Sequence, residues 1–246
     1  MKKFFNLFFL LFICFAYAIS SDKSLSVMKH TLQEQQKKEE GQLVIVIDPG
    51  HGGRDPGKVG IDQILEKDIN LSIALKLKNL LEQNDIKVVM TREEDIGLYN
   101  EGDSNKKRAD MYARVNIIKE CKADMAISIH QNSFTEEYVK GAQVFYYSKS
   151  EQGKQLAELL QKQILETIAD GNHRKIKSND DYYMLKNTDC PLVIVECGYL
   201  SNIREAGLLM DDNYQEKMAY AMHLALMRFV NDGGLKPGKE KVSYAL

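Results

Sequence analysis

A three-layer α/β/α domain with an open, mostly parallel central sheet is the fold this sequence predicts, on two observations. Short apolar, β-rich runs alternate with segments whose apolar residues recur at helical spacing, the order that builds a sheet covered by helices on both faces. The first run, residues 43–47 (LVIVI), is apolar throughout rather than alternating, as expected of a strand with no solvent face.

The elements follow in order. Residues 66–83 set Ile69, Ile73, Leu77 and Leu80 on one side of a helix. Residues 87–91 read as a second strand, 108–120 as a helix and 124–129 (DMAISI) as a third strand. A fourth strand is expected over 141–147, a long helix over 151–168 and a fifth strand over 192–195 (LVIV). A helix over 213–230 closes the unit, so the folded catalytic domain is expected over residues 42–231 of the 246.

The ends read differently. Residues 1–18 (MKKFFNLFFLLFICFAYA) have the order of a secretory leader: two lysines, an apolar run, then small residues before a cleavage point after Ala18. The apolar run falls short of the roughly 20 residues of a comfortable span. An uncleaved anchor is the alternative, and the only contact with a membrane this sequence suggests. Lipidation at Cys14 fits poorly, because Ile13 before it is not small. Residues 19–41, with QEQQKKEE at 33–40, read as a polar arm, and residues 232–246 as an exposed tail rich in Gly and Lys.

Removing the leader changes the chemistry that remains. Six of the nine phenylalanines go with it, so the core rests on Ile, Leu, Val, Met and Tyr. Lys2 and Lys3 go too, which takes the formal charge from −2 to −4. A mildly acidic chain lacks the basic patch that binds nucleic-acid phosphates, so that class of partner is excluded. Cys121, Cys190 and Cys197 remain, an odd number with no Cys-x-x-Cys pair. At least one thiol is therefore unpaired, and neither a thioredoxin-type site nor a zinc knuckle is present.

Three strands run into residues that can hold or serve a metal. The first leads to Asp48-Pro49-Gly50-His51-Gly52-Gly53, the third to His130-Gln131-Asn132-Ser133, and the fifth to Glu196-Cys197-Gly198-Tyr199. In open α/β sheets the ligand crevice lies at the carboxyl ends of the strands. Glu66 stands fifteen residues after His51, at the start of the first helix, where the chain has just left that edge. Two imidazoles and one carboxylate are the His₂Glu set of a catalytic zinc, which leaves a fourth position for water. Zinc lowers the pKa of a bound water from 15.7 to about 7 and polarises a carbonyl, so no nucleophilic Ser or Cys is needed. Glu196 is then the candidate general base, and afterwards the acid that protonates the leaving amine. The glycines around His51 allow a sharp turn and keep bulk away from the ion.

DPGHGGRDPG, then Glu66-Lys67 and Asn70-Leu71, then SIHQNS, then VECGYLSN closely resemble the zinc N-acetylmuramoyl-L-alanine amidases of the amidase-3 type. The resemblance spans residues 44–229 in four ordered motifs. It implies an amidase-3, zinc-exopeptidase-like fold and one Zn2+ ion held by His51, Glu66 and His130. It also implies Glu196 as the catalytic glutamate, acting on the amide between the muramic acid lactyl group and L-alanine of peptidoglycan. Many relatives carry wall-binding repeats, and none is found here. Some insert a long helical plug after the second histidine, where this chain has only a short loop between Asn132 and Gly141. A site without that plug is open unless something outside the chain controls it, which leaves room for an activating protein partner. The compact layout looks most like the germination-specific amidases of spore formers, with cortex maturation by muramic lactam formation as the implied role. A vegetative wall amidase, a zinc peptidase on another secreted amide and a wall-binding scaffold without turnover are the alternatives.

Other residues have plainer readings. His30 lies in the polar arm, and His223 sits among apolar residues of the last helix as a structural histidine. His173 is a loop residue for which a substrate contact is the alternative. Arg174 and Lys175 beside it read as an ordinary charged loop rather than as contacts to an acidic stem. Asp48 either orients a ligand histidine or caps the turn. Cys197 and Tyr199 stand where relatives more often have Thr or Ser and Phe. Cys197 invites a Cys-His protease reading, but no cysteine-nucleophile signature surrounds it.

Overall fold

The structure is a computed structural model and describes residues 42–235. The leader, the polar arm with His30, and the tail beyond residue 235 lie outside the described residues. The compact unit begins at Leu43. Its strands are β1 (Val44–Pro49), β2 (Lys87–Met90), β3 (Met125–Asn132), β4 (Gln143–Tyr146), β5 (Lys177–Ser178) and β6 (Leu192–Tyr199). Its helices are α1 (Glu66–Glu82), α2 (Lys106–Glu120), α3 (Glu151–Ile168), α4 (Tyr183–Lys186), α5 (Ile203–Met210) and α6 (Asp212–Asn231).

The six strands form one sheet in the order β2-β1-β3-β6-β4-β5. β2, β1, β3 and β6 run parallel, β4 pairs antiparallel with β6, and β5 follows β4. This is the mostly parallel sheet expected from the sequence, with β1, β3 and β6 inside it and β2 at one edge. Because side chains alternate along a strand, each central strand sends odd- and even-numbered residues to opposite faces. Ile45, Ile47, Ile127, Ile129, Val193 and Val195 meet α1, α3 and α6 in the larger apolar core. Val46, Ala126, Leu192 and Ile194 meet α2 and α4 in a smaller one.

Helix starts follow local chemistry. The side chains of Asn105, Ser150, Asn202 and Asp211 each accept a hydrogen bond from a backbone N–H in the first turn of α2, α3, α5 and α6. α1 has no such cap, and its first residue is Glu66. Along α1, Ile69, Ile73, Leu77 and Leu81 are fully covered, while Leu80 is only partly so. Past α6, Leu235 packs on the larger core and the Gly234 carbonyl accepts a 2.7 Å bond from Gln152 Nε2.

Two strands run further than their apolar stretches suggest. β3 continues through His130 to Asn132, and β6 continues through Glu196 to Tyr199. His130 and Glu196 are register partners on these neighbouring strands. Both are even-numbered, so they share the thinly covered face with Asp48 and Ser128.

Candidate active site

The turn after β1 is held by side chains from far away in sequence. His51 has a backbone φ of 63°, a left-handed conformation that is uncommon outside glycine. Arg114 Nη2 donates to the His51 carbonyl at 2.6 Å and Nη1 to the Pro49 carbonyl at 2.9 Å. Arg92 Nε also reaches the Pro49 carbonyl, at 3.0 Å, and Arg92 Nη2 and Asn70 Nδ2 reach the Gly50 carbonyl at 3.0 and 3.1 Å. Lys67 Nζ bonds the Gly53 carbonyl at 2.9 Å and Asp95 at 2.6 Å, and Asp95 accepts from the Gly53 N–H. Every carbonyl of the turn from Pro49 to His51 thus has a cationic partner. Gly50 is required by space, because a Cβ there would overlap the His130 ring.

Asp48 anchors this arrangement and does not touch either histidine. It is fully buried and accepts from Arg114 Nη1, Thr91 Oγ1 and Ser128 Oγ, each at 2.6 Å. Burial works against its ionisation, but the Arg114 charge and these donors hold its pKa down to about 2. The two readings offered for Asp48, orienting a ligand histidine or capping the turn, both give way to a third: it fixes Arg114, which fixes the turn.

Glu66 stands at the centre of the site. It is 2 % exposed. Its Oε2 accepts from the Lys58 N–H at 2.7 Å, and its Oε1 accepts from the Gln131 N–H at 3.1 Å. His51 Nε2 lies 3.2 Å and His130 Nδ1 2.9 Å from the same Oε1. Burial opposes its charge, yet the two histidines keep its pKa well below the usual carboxylate range. Burial likewise pulls down the His130 pKa, and the Glu66 carboxylate more than reverses this, so the net shift is upward. One ligand atom each from His51, Glu66 and His130 falls within 4.8 Å of the others, so these three residues could hold a metal ion. The two rings stand edge to face, 4.9 Å between centroids. On its far side, His51 Nδ1 is 2.9 Å from Asp55 Oδ2.

Glu196 projects from β6 into the same space. It is buried, and its Oε2 has no hydrogen-bond partner among the described residues. Burial dominates its chemistry and raises its pKa to about 7, with Glu66 adding to the shift and His130 opposing it. A cavity of about 370 Å³ joins these side chains and is lined further by Lys58, Lys107, Met111, Tyr182, Tyr183 and Met184.

The structure therefore brings together His51, Glu66, His130 and Glu196, the four residues singled out in the sequence. The remaining candidates fall elsewhere. Cys197 points into the larger core, fully buried, and burial pushes its thiol pKa well up, so it is no nucleophile. Cys121 and Cys190 are free thiols, also raised by burial, Cys190 to about 12. His223 Nε2 meets Asn84 Oδ1 at 2.8 Å, away from the cavity. His173 is exposed. Arg174 ties its loop to the segment before β4 and to β6, bonding the Lys140 carbonyl at 2.7 Å and lying 4.8 Å over the Tyr199 ring. Sequence reasoning missed Asp55, Arg92 and Arg114. Asp55 alone left a local signal, an acid four residues after His51.

An open α/β sheet with two histidines and two glutamates grouped near the ends of its parallel strands offers a donor set suited to a metal-dependent α/β enzyme. The comparisons sharpen this. Residues 45–228 match the family model Amidase_3, N-acetylmuramoyl-L-alanine amidase, and the chain belongs to that family. It is 36 % identical over 197 residues to the germination-specific N-acetylmuramoyl-L-alanine amidase of Bacillus subtilis (strain 168), covering 79 % of this chain and 82 % of the relative. Among solved structures, it is similar to the CwlD amidase of Clostridioides difficile in complex with the GerS lipoprotein. That match has a TM-score of 0.75 and 39 % identity, over 77 % of this chain and 98 % of the other. The catalytic domain of CwlV, an N-acetylmuramoyl-L-alanine amidase from Bacillus (Paenibacillus) polymyxa var. colistinus, gives a TM-score of 0.69 and 30 % identity, over 77 % and 98 % of the two chains. The protein is an N-acetylmuramoyl-L-alanine amidase acting on peptidoglycan.

Proposed function

We propose that His51, Glu66 and His130 hold one zinc ion, that Glu196 is the catalytic acid–base, and that the enzyme matures spore cortex outside the cytoplasm. The observation that carries the metal reading is the spacing of the donors. A tetrahedral zinc with bonds of about 2.0–2.1 Å sets its ligand atoms about 3.3 Å apart. His51 Nε2 and His130 Nδ1 lie 3.2 and 2.9 Å from Glu66 Oε1, and one ligand atom from each of the three residues falls within 4.8 Å of the others. Two imidazoles and one carboxylate also match the donor set of catalytic zinc. When bound, zinc supplies Lewis acidity to the scissile carbonyl and to a water.

The chain's own residues do the rest. Glu196 has a free, buried oxygen facing the cavity and a pKa of about 7, so it can take and return a proton near neutrality. It takes a proton from the attacking water, whose oxygen joins the lactyl carbonyl carbon. It then gives that proton to the L-alanine nitrogen as the amide bond breaks, leaving a lactyl carboxylate and a free stem peptide. Asp55 holds the His51 ring from behind. The likeness to a germination-specific amidase supports the cortex role. That the C. difficile neighbour was solved with a lipoprotein supports a protein partner for this chain. The leader read at residues 1–18 supports action at the wall or between the forespore membranes.

A muropeptide digest tests the reading. Zinc-loaded enzyme is expected to release free stem peptides, a chelator to stop release and added zinc to restore it. Stems left on muramic acid, or a rate indifferent to chelator, would overturn it. Loss of muramic lactam from spores of a deletion strain, with the vegetative wall unchanged, checks the cortex role.

A further inference from the structure

Two lysines at the mouth of the catalytic cavity have no structural occupation. Lys58 and Lys107 both line the cavity, and both side chains are exposed. Neither forms an ion pair among the described residues, although the lysines near them do: Lys67 pairs with Asp95 at 2.6 Å and Lys106 with Glu101 at 2.7 Å. Lys58 is nevertheless fixed in place through its backbone, whose N–H donates to Glu66 Oε2 at 2.7 Å and whose carbonyl accepts from the Glu66 N–H at 3.0 Å.

Lys107 is unusual for its setting. It lies in the first turn of α2, which carries no acidic residue and begins Lys106-Lys107-Arg108. A helix start favours anions, so three cations there oppose the helix dipole. Lys106 and Arg108 each have a neighbour, Glu101 and the Tyr112 hydroxyl at 2.7 Å. Lys107 has no such partner among the described residues and lines the cavity.

Charge arithmetic gives the sign of the ligand. Asp55, Glu66 and Glu196 contribute at most three negative charges and the lysines two positive ones, so the cleft turns net positive when the proposed divalent ion is bound. A cleft with net positive charge concentrates an anionic ligand.

We infer that Lys58 and Lys107 are specificity-determining residues that bind a carboxylate of the acidic stem peptide beyond the scissile L-alanine bond. The inference rests on the amidase reading of this same cavity. It adds that the enzyme prefers stems whose second residue has a free α-carboxylate over stems in which that group is amidated.

The test measures binding, so that it does not depend on turnover. Full-length Glu196→Gln protein loaded with zinc is titrated with two soluble muropeptides, differing only in free or amidated α-carboxylate. Amidation is expected to weaken binding about tenfold, and Lys58→Gln with Lys107→Gln to weaken binding of the acidic form by a similar factor. The double variant should bind both muropeptides alike, and arginine at both positions should restore the preference. The melting temperature should not fall across the set, since neither side chain has an ion-pair partner among the described residues and Lys107 opposes the helix dipole. Equal affinities in the parent, or a preference that survives in the double variant, would overturn the inference. Failure of the amidase reading looks different: wild-type enzyme with zinc would leave both stems attached, whatever the binding data show.

Discussion

Along β1, β3 and β6, one set of side chains packs on α1, α3 and α6, and the alternate set faces α2 and α4. The first set is almost wholly apolar: Ile45, Ile47, Ile127, Ile129, Val193, Val195 and Cys197. The second starts apolar, with Val46, Ala126 and Ile194, and turns polar toward the strand ends with Asp48, Ser128, His130 and Glu196. The same backbone thus serves two purposes. One face has three long helices over it and holds the larger apolar core. The other is covered by one long helix and one short one, which leaves a cavity where the strands end. Adjacent residues therefore have opposite fates, and Glu196 and Cys197 make the sharpest pair.

The largest expected effect breaks that pair apart. Glu196→Gln should lower kcat about 1,000-fold, as loss of a general acid–base does, without lowering the melting temperature, since it replaces a buried carboxyl lacking a full set of partners. Cys197→Ala should do the reverse: activity per folded molecule retained, and stability reduced by about 1 kcal/mol. Rate assays with thermal melts decide both. An inactive Cys197→Ala protein with a normal melt would show that the two faces are not separate in function.

Asp55→Asn is expected to act next most strongly. It keeps the shape of the group behind His51 Nδ1 and removes its charge, and should weaken zinc binding about 10- to 100-fold. Competition with a fluorescent chelator measures this directly, and Asp55→Glu should recover part of the affinity. Unchanged affinity in Asp55→Asn would make the 2.9 Å contact incidental.

The last effect, read as a change of shape with pH rather than as a single loss, concerns Asp48. Its pKa falls from 3.8 to about 2 on folding, so the folded state holds the carboxylate more firmly than the unfolded chain does. The resulting stability is present above pH 3.8 and is lost as pH falls through about 2; a shift of this size is worth about 2 kcal/mol. Asp48→Asn should flatten the acid limb of a stability-against-pH curve in that window. A limb unchanged by the substitution would show that Asp48 is not the group that titrates.

Much of this was legible before any coordinates. The apolar runs located the five principal strands, most plainly β1, β3 and β6, because a strand buried on both faces cannot hide its composition. The motifs located His51, Glu66, His130 and Glu196 because the carboxyl ends of parallel strands share one edge. β5 and α4, at two and four residues, were too short to carry a period. β6 was read as stopping at Val195, because Glu196 breaks an apolar run while remaining in the strand on its polar-tolerant face. Arg92 and Arg114 were invisible for another reason. Each lies more than forty residues from the carbonyls of Pro49 and Gly50 or His51 that it bonds, and nothing local marks a buried arginine for such a partner.

The left-handed turn at His51 has a consequence for how this fold could be improved. A backbone held in that region by a non-glycine residue stores about 1–3 kcal/mol of strain. Selection for heat resistance alone would favour glycine at position 51, which relaxes the chain but abolishes the imidazole proposed to bind the metal. Thermostability screens of this enzyme should therefore be paired with an activity filter, or they will drift toward sturdier proteins that no longer cut.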